Sequence, residues 1–304
     1  MQTITFYSYK GGVGRTLAVA NAADFLARRG LKVFAIDFDL EAPSLHYKFA
    51  LDRRRQDSET KLGAVDYIHA FAVCGESPQP LRDHVIQIQP QEDLRGSVHL
   101  MPAGNVPTAR YWRRLAQINW HELFYSSQPE GEPPRGIPFF LELKEQIERE
   151  YAPDFLLIDA RTGVTELGGV ATTILADKVV CFLLNNRENL EGVRAVLRSI
   201  KNARRLPDQA PVEVLPVVTR IPEREDKDPE NRIVAGIRDF LSQEAEDLAS
   251  TLDIPEVFVL HSEPELQFSE ALMVASGKTP VESPLVTDYV RLFESLVPGE
   301  AIEP

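Results

Sequence analysis

The sequence contains only two cysteines, Cys74 and Cys181, each alone in an apolar setting. With no CxxC pair, zinc-ribbon and thioredoxin-type sites and a disulfide framework are excluded, and a reducing, cytoplasmic setting is expected. Long apolar runs are missing too. No stretch approaches the roughly 20 residues that a spanning helix needs, so no membrane association is expected. The opening MQTITFYSYKGG lacks the basic-then-apolar order of a signal peptide. Positive charge is in deficit: Lys+Arg 33 against Asp+Glu 46 gives −13. That balance argues against a dedicated nucleic-acid or anionic-lipid surface, while a local basic patch stays open. No internal repeat and no separate second domain is discernible. What is present is ordinary for a globular chain: 304 residues, 43% hydrophobic and 26% charged, ample to bury a core.

Short apolar runs alternate with helical patterns, which predicts an α/β fold with a doubly wound, mostly parallel sheet flanked by helices. The predicted strands are Thr3–Tyr7, Lys32–Asp37, Val98–Pro102, Phe155–Asp159, Lys178–Leu184, Val212–Val218 and Val257–His261. Several are near-continuous apolar runs, as strands covered on both faces require. Helices are predicted at Thr16–Arg29, Phe139–Tyr151, Glu191–Arg204, Ile233–Ser250 and Ser283–Leu296, the first closing on Gly30 as a left-handed cap. Two intervals break the rhythm, residues 41–97 and 104–138. The second carries the helical-looking YWRRLAQINWHELF (111–124) and the irregular QPEGEPPRGIP (128–138).

The informative segment is YKGGVGRT (9–16), between the first strand and the first helix. Gly11, Gly12 and Gly14 allow a tight turn whose N–H groups converge on a phosphate at a helix N-terminus. Thr16 is placed for its hydroxyl to meet Mg²⁺. A standard phosphate loop has lysine before that hydroxyl residue, whereas this chain has Arg15, with Lys10 as a second cation at the start of the loop. A guanidinium fork binds phosphate oxygens bidentately but is bulkier than an ammonium. Asp37 and Asp39 follow the apolar VFAI on one side of a strand, with Phe38 opposite, and form an anionic site at its C-terminal end.

KGGVGRT resembles the deviant Walker A motif of the ParA/MinD family of P-loop ATPases, and most closely its KGGVGR subgroup. VFAIDFDLEAPSL (33–45), VHLMPAGN (98–105), PDFLLIDARTGV (153–164) and VFVLHSEPELQFSEAL (257–272) are similar to later segments of that family, in order and spacing. The resemblance implies a single P-loop ATPase domain over residues 1–304, with insertions at about 46–97 and 105–138. It also implies ATP and Mg²⁺ as cofactors and a homodimer that sandwiches two nucleotides. Lys10 would reach the phosphates of the other subunit. Gly11, Gly12, Val13, Gly14, Arg15, Thr16 and Leu17 would hold the triphosphate, with Arg15 on the β/γ-phosphates. Asp39 would orient the attacking water, Asp37 would lie in the metal's outer shell, Asp159 would bind Mg²⁺ through water, and the Gly163 N–H would sense the γ-phosphate. Thr219, Arg220 and Ile221 are candidates for the adenine wall, and loop 261–266 for the facing one. Asn21 matches a family asparagine, although a polar helix residue needs no special role. Where the family usually has proline, this chain has Ala-Arg-Thr; Arg161 is either an arginine finger or a partner of Asp37 or a nearby glutamate.

The function expected is a slow ATPase acting as a switch that recruits a partner protein. Alternatives are an ATP-dependent small-molecule ligase, a DNA-associated partitioning ATPase and a non-hydrolysing nucleotide-binding module. Arg53–Arg55, Arg113–Arg114 and Arg204–Arg205 could form a DNA patch, but dispersed arginines in an acidic protein are usually solvated, so DNA is not favoured. Trp112 and Trp120, eight apart, would share a helical face for a partner or, more simply, for the protein's own core. The tail TDYVRLFESLVPGEAIEP is amphipathic but acidic, and its apolar face should pack on the domain.

Overall fold

The computed structural model describes residues 1–49, 62–75, 78, 80–88, 95–125, 134–203, 205, 209–243, 252–267, 272 and 283–297. The first half contains β1 (Gln2–Ser8), α1 (Arg15–Arg28), β2 (Lys32–Phe38), α2 (Leu45–Lys48), α3 (Ala64–Ala72), β3 (Ile86–Ile88), β4 (Ser97–Met101), α4 (Ala109–Gln117) and α5 (Trp120–Tyr125). The second contains α6 (Gly136–Tyr151), β5 (Phe155–Ala160), α7 (Glu166–Thr173), β6 (Lys178–Leu183), α8 (Arg187–Asn202), β7 (Glu213–Ile221), α9 (Asp228–Ser242), β8 (Phe258–His261) and α10 (Pro284–Leu296). The strands form one eight-stranded sheet in the order β3-β4-β2-β5-β1-β6-β7-β8. Every pairing is parallel except that of β3 with β4. The doubly wound reading of the sequence is therefore correct.

Alternation along the central strands feeds two cores, one on each face of the sheet. Ile4 and Phe6 of β1 pack with α1 and α10, while Tyr7 joins the opposite core with α6, α7 and α8. Alanines at 18, 20, 22, 23 and 27 are fully buried in α1, and their small side chains let it lie close to the sheet. Gly30 takes φ 88 and closes α1 as a left-handed cap. The acidic tail helix α10 does pack on the domain: Phe293 is fully buried, with its ring 5.5 Å from that of Phe25. No helix among the described residues is long and apolar enough to cross a membrane.

The departures from the sequence reading have local causes. YWRRLAQINWHELF is two helices, not one, because Ile118 is extended and the Asn119 side chain accepts from Glu122 N, restarting the chain as α5. The break separates the tryptophans: Trp112 is 46% exposed, while Trp120 packs against the core. α8 starts at Arg187 rather than Glu191 because Asn186 accepts a hydrogen bond from Asn189 N at 2.9 Å. α9 starts at Asp228 rather than Ile233, with proline in its first turn, and residues 244–250 of the predicted helix lie outside the described residues. Four elements escape prediction. The strand β3 has only three residues and α2 only four, α3 lies in an interval read as an insertion, and α7 contains Gly168, Gly169 and two threonines, which blur a helical pattern.

At the far end of β8 a buried histidine bridges three elements. The ring nitrogens of His261 face Asp288 Oδ2 on α10 and Glu230 Oε2 on α9, both at 2.9 Å, with the Lys227 ammonium 3.4 Å from Nε2. Only an imidazolium donates to both carboxylates from its two ring nitrogens, and the Asp288 hydrogen bond raises the His261 pKa against the opposing effect of burial. A raised folded pKa gives stability that is complete below the unfolded value near 6.5 and is lost as pH rises through the folded one. The difference in unfolding free energy between wild type and His261→Gln is expected to shrink as pH rises past neutrality in urea titrations. A pH-independent difference would contradict this.

Candidate nucleotide site

The C-terminal ends of β1, β2 and β5 meet in one cleft of about 370 Å³, in the range of small-ligand sites. Its floor is the loop from Gly11 to Gly14. Gly12 and Gly14 have φ of 76 and 83, conformations that side chains with a Cβ adopt only under strain. α1 starts directly after Gly14 with no side-chain cap and no acidic residue in its first turn. Its first N–H groups and its dipole thus face the cleft with no carboxylate of the helix's own first turn in competition, which is an anion site in physical terms. Val13, Thr16 and Leu17 line the same cleft.

Arg15 lines the cleft from a buried position, 5% exposed. Its Nε donates to Asp159 Oδ1 at 2.5 Å, one terminal nitrogen to Asp39 Oδ2 at 2.6 Å and the other to Ser8 Oγ at 3.3 Å. Burial disfavours the charged guanidinium, but Asp159 and Asp39 outweigh it and raise its pKa. The residue expected at the phosphates is therefore clamped between the two carboxylates expected to serve metal and water.

Asp37 and Asp159 are paired in register across β2 and β5, and both are fully buried. Asp37 accepts from Asp39 N and Leu45 N, each at 3.1 Å, and so organises the turn that leaves β2. Burial and the Asp159 charge push its pKa well above the usual carboxylate range. Burial also raises Asp159, with Arg15 and the Thr16 hydroxyl pulling against it. Asp159 Oδ2 is buried without a hydrogen-bond partner. An orphaned carboxylate oxygen beside the Thr16 hydroxyl suits a hard cation such as Mg²⁺, which takes few protein ligands and completes its shell with water and phosphate. Among the described residues no cluster of three or more His, Cys, Asp or Glu is placed to hold a metal ion.

The remaining predicted residues are dispersed around this centre. Lys10 is 40% exposed at the loop mouth, its Nζ 2.5 Å from Glu188 Oε1 on α8. Gly163, at φ 76, donates to Ser8 O at 3.3 Å and accepts from the Tyr7 hydroxyl at 3.1 Å, which ties it to the end of β1. Arg161 pairs with Glu41 across the cleft, the nearby glutamate being its partner rather than Asp37. Of the base-wall candidates, Arg220 alone reaches the phosphate loop: it adopts φ 61 at the β7–β8 irregularity and donates to Gly12 O. Thr219 and Ile221 are buried and absent from the cleft lining. His261, at the start of the other proposed wall, is engaged in its own carboxylate pair. Asn21 is buried and donates to Leu17 O at 2.9 Å, within α1. Glu41, Ser44 and Lys48 line the cleft and escape the sequence reading: Lys48 falls in the interval read as an insertion, and Glu41 and Ser44 follow the aspartates of β2 without a pattern of their own. The signal available is their position immediately after the aspartate-bearing end of β2.

A family model for the CobQ/CobB/MinD/ParA nucleotide-binding domain matches residues 4–234. The chain belongs to this family. Among solved structures, the MinD/ParA fold is evident in the septum site-determining protein MinD of Pyrococcus horikoshii, complexed with Mg-ADP. That structure has a TM-score of 0.65 at 19% identity, covering 100% of this chain and 99% of that one. A MinC:MinD complex from Aquifex aeolicus gives a TM-score of 0.59 at 18% identity, over 100% of this chain and 99% of that one. In sequence, an uncharacterized ATP-binding protein of Methanocaldococcus jannaschii is 47% identical over 47 residues. That match is 16% of this chain and spans only 18% of the relative's own length. As a CobQ/CobB/MinD/ParA domain, the chain carries a nucleotide-binding module, and the glycine loop at the head of α1 is the feature that fits this role.

Proposed function

We propose that this protein is an ATP-binding, slowly hydrolysing switch of the KGGVGR type, which dimerises around ATP and signals to a partner protein. The observation that carries this reading is the uncapped start of α1 beneath a cleft lined by Arg15 and Asp39, with Asp159 buried behind Arg15. Phosphates belong on the N–H groups of residues 12–16. Thr16, and Asp159 through water, would hold Mg²⁺, with Asp37 behind them; a bound Mg²⁺ supplies charge neutralisation to the phosphates. Asp39 lines the cleft with one carboxylate oxygen held by Arg15, which competes with an attacking water for it. A closed clamp in the resting chain fits slow turnover. Lys10, held by an exposed ion pair of little intrinsic strength, is free to exchange Glu188 for phosphates of a second copy. A partner protein is the role that the MinC:MinD complex illustrates for its own MinD.

Specific observations weigh on two alternatives. A DNA-partitioning role needs a cluster of outward arginines, but Arg114 pairs with Asp66 and Arg205 turns inward onto Ala210 O and Thr173 O, which leaves Arg113 as the exposed one among the described residues of these clusters. Arg53–Arg55 and Arg204 lie outside the described residues. A non-hydrolysing module is favoured only if Arg15 never releases Asp39. Light scattering with Mg-ATP and with Mg-ADP tests the switch. A dimer formed with Mg-ATP and lost in Lys10→Ala is the expected result, and an unchanged monomer in both would refute it.

A further inference from the structure

Resting on the nucleotide reading above, we infer that Lys48 is a phosphate-binding residue and supplies the cleft with the point charge that arginine at position 15 does not deliver. Arg15 has two carboxylate oxygens on its fork, so its charge is balanced before any ligand enters. The same cleft is also lined by Glu41, Ala42, Ser44 and Lys48.

The position of Lys48 is built rather than incidental. α2 begins where Leu45 N donates to the buried carboxylate of Asp37, so the aspartate at the end of β2 sets its start. Leu45 is fully buried and Phe49 nearly so, both in the core beneath α1, which pins the short helix from below. Lys48 lies between these anchors and lines the space above Gly11–Leu17. Its ammonium is half-buried; burial lowers its pKa, and the Asp159 charge acts in the opposite direction, which places it within electrostatic reach of the carboxylate centre. An ammonium in a partly desolvated cleft attracts phosphate oxygens more strongly than one in bulk water. A compact, rotatable donor also suits a polyphosphate whose oxygens shift between states. The ligand class is a triphosphate, and the chain's departure from lysine at position 15 is compensated from a different element.

Calorimetric titration of wild type, Lys48→Met, Lys48→Gln and Lys48→Arg with Mg-ATP, AMP and inorganic tripolyphosphate tests the inference. Lys48→Met and Lys48→Gln are expected to weaken ATP and tripolyphosphate at least tenfold, with Lys48→Arg intermediate and AMP changed less than twofold. Unaltered melting temperatures would assign the loss to binding rather than folding. Neutral variants that bind ATP and tripolyphosphate within twofold of wild type would overturn the role of Lys48. If wild type binds tripolyphosphate but not ATP, and the neutral variants lose it, the role of Lys48 stands while the ATP reading falls. Binding of neither ligand by wild type would overturn both.

Discussion

Arg15→Ala is expected to destabilise the protein by about 3–5 kcal/mol, because it leaves buried carboxylates without their counter-charge. Asp39 and Asp159 lose their guanidinium directly, and Asp37 sits in register beside Asp159. Arg15→Lys should fall between, since one ammonium reaches one carboxylate but cannot fork across two. Adding Asp159→Asn to Arg15→Ala should recover part of the loss by removing one unbalanced charge. The pH dependence follows in sign. Asp159 already has a folded pKa above its unfolded value, and loss of Arg15 raises it further. Between the two values the native state holds more protons than the unfolded one, so Arg15→Ala gains stability as pH falls through the folded pKa. Urea denaturation at several pH values measures all of this. A cost below about 1 kcal/mol for Arg15→Ala would mean that the clamp is only a surface-strength pair.

The second large effect concerns turnover. Asp39→Ala should reduce ATP hydrolysis about a hundredfold or more, the range lost when a positioned proton acceptor is removed. Asp39→Asn keeps a hydrogen-bond acceptor for Arg15 but not the charge, so it should fold well and still hydrolyse poorly. ATP affinity in both variants should stay close to wild type, because the phosphates rest on backbone N–H groups and cations. Single-turnover phosphate release, measured beside equilibrium binding, separates these quantities. If wild type turns over no faster than Asp39→Ala, the role assigned to Asp39 fails.

The parts of the site written in consecutive residues are legible in the amino-acid sequence itself. Glycines at 11, 12 and 14 between an apolar strand and a helix have one physical use in common, and strands ending in Asp37 and Asp159 announce themselves by their apolar runs. Partnerships over long separations are not legible. That Arg15 faces Asp159, 144 residues away, depends on β5 inserting between β2 and β1, and no local pattern carries that order. Lys48 is hidden for a different reason: four helical residues are too few to establish a period, so the turn after β2 reads as the start of an insertion. Strand alternation and the irregularity at the end of β7 turn Thr219 and Ile221 into the interior and leave Arg220 outside, a placement that no local pattern announces.

The sheet's two margins narrow how copies of this chain can assemble. One margin is β3, three residues long and antiparallel to its neighbour; the other is β8, four residues long and packed against α10. Among the described residues neither presents a run long enough to template another strand, the way exposed edges join chains into filaments. Self-association by a sheet continuing from one molecule to the next is thereby disfavoured. Growth without limit is disfavoured with it, and the loops at the C-terminal ends of the strands are left as the ground on which a closed, two-fold pair could form.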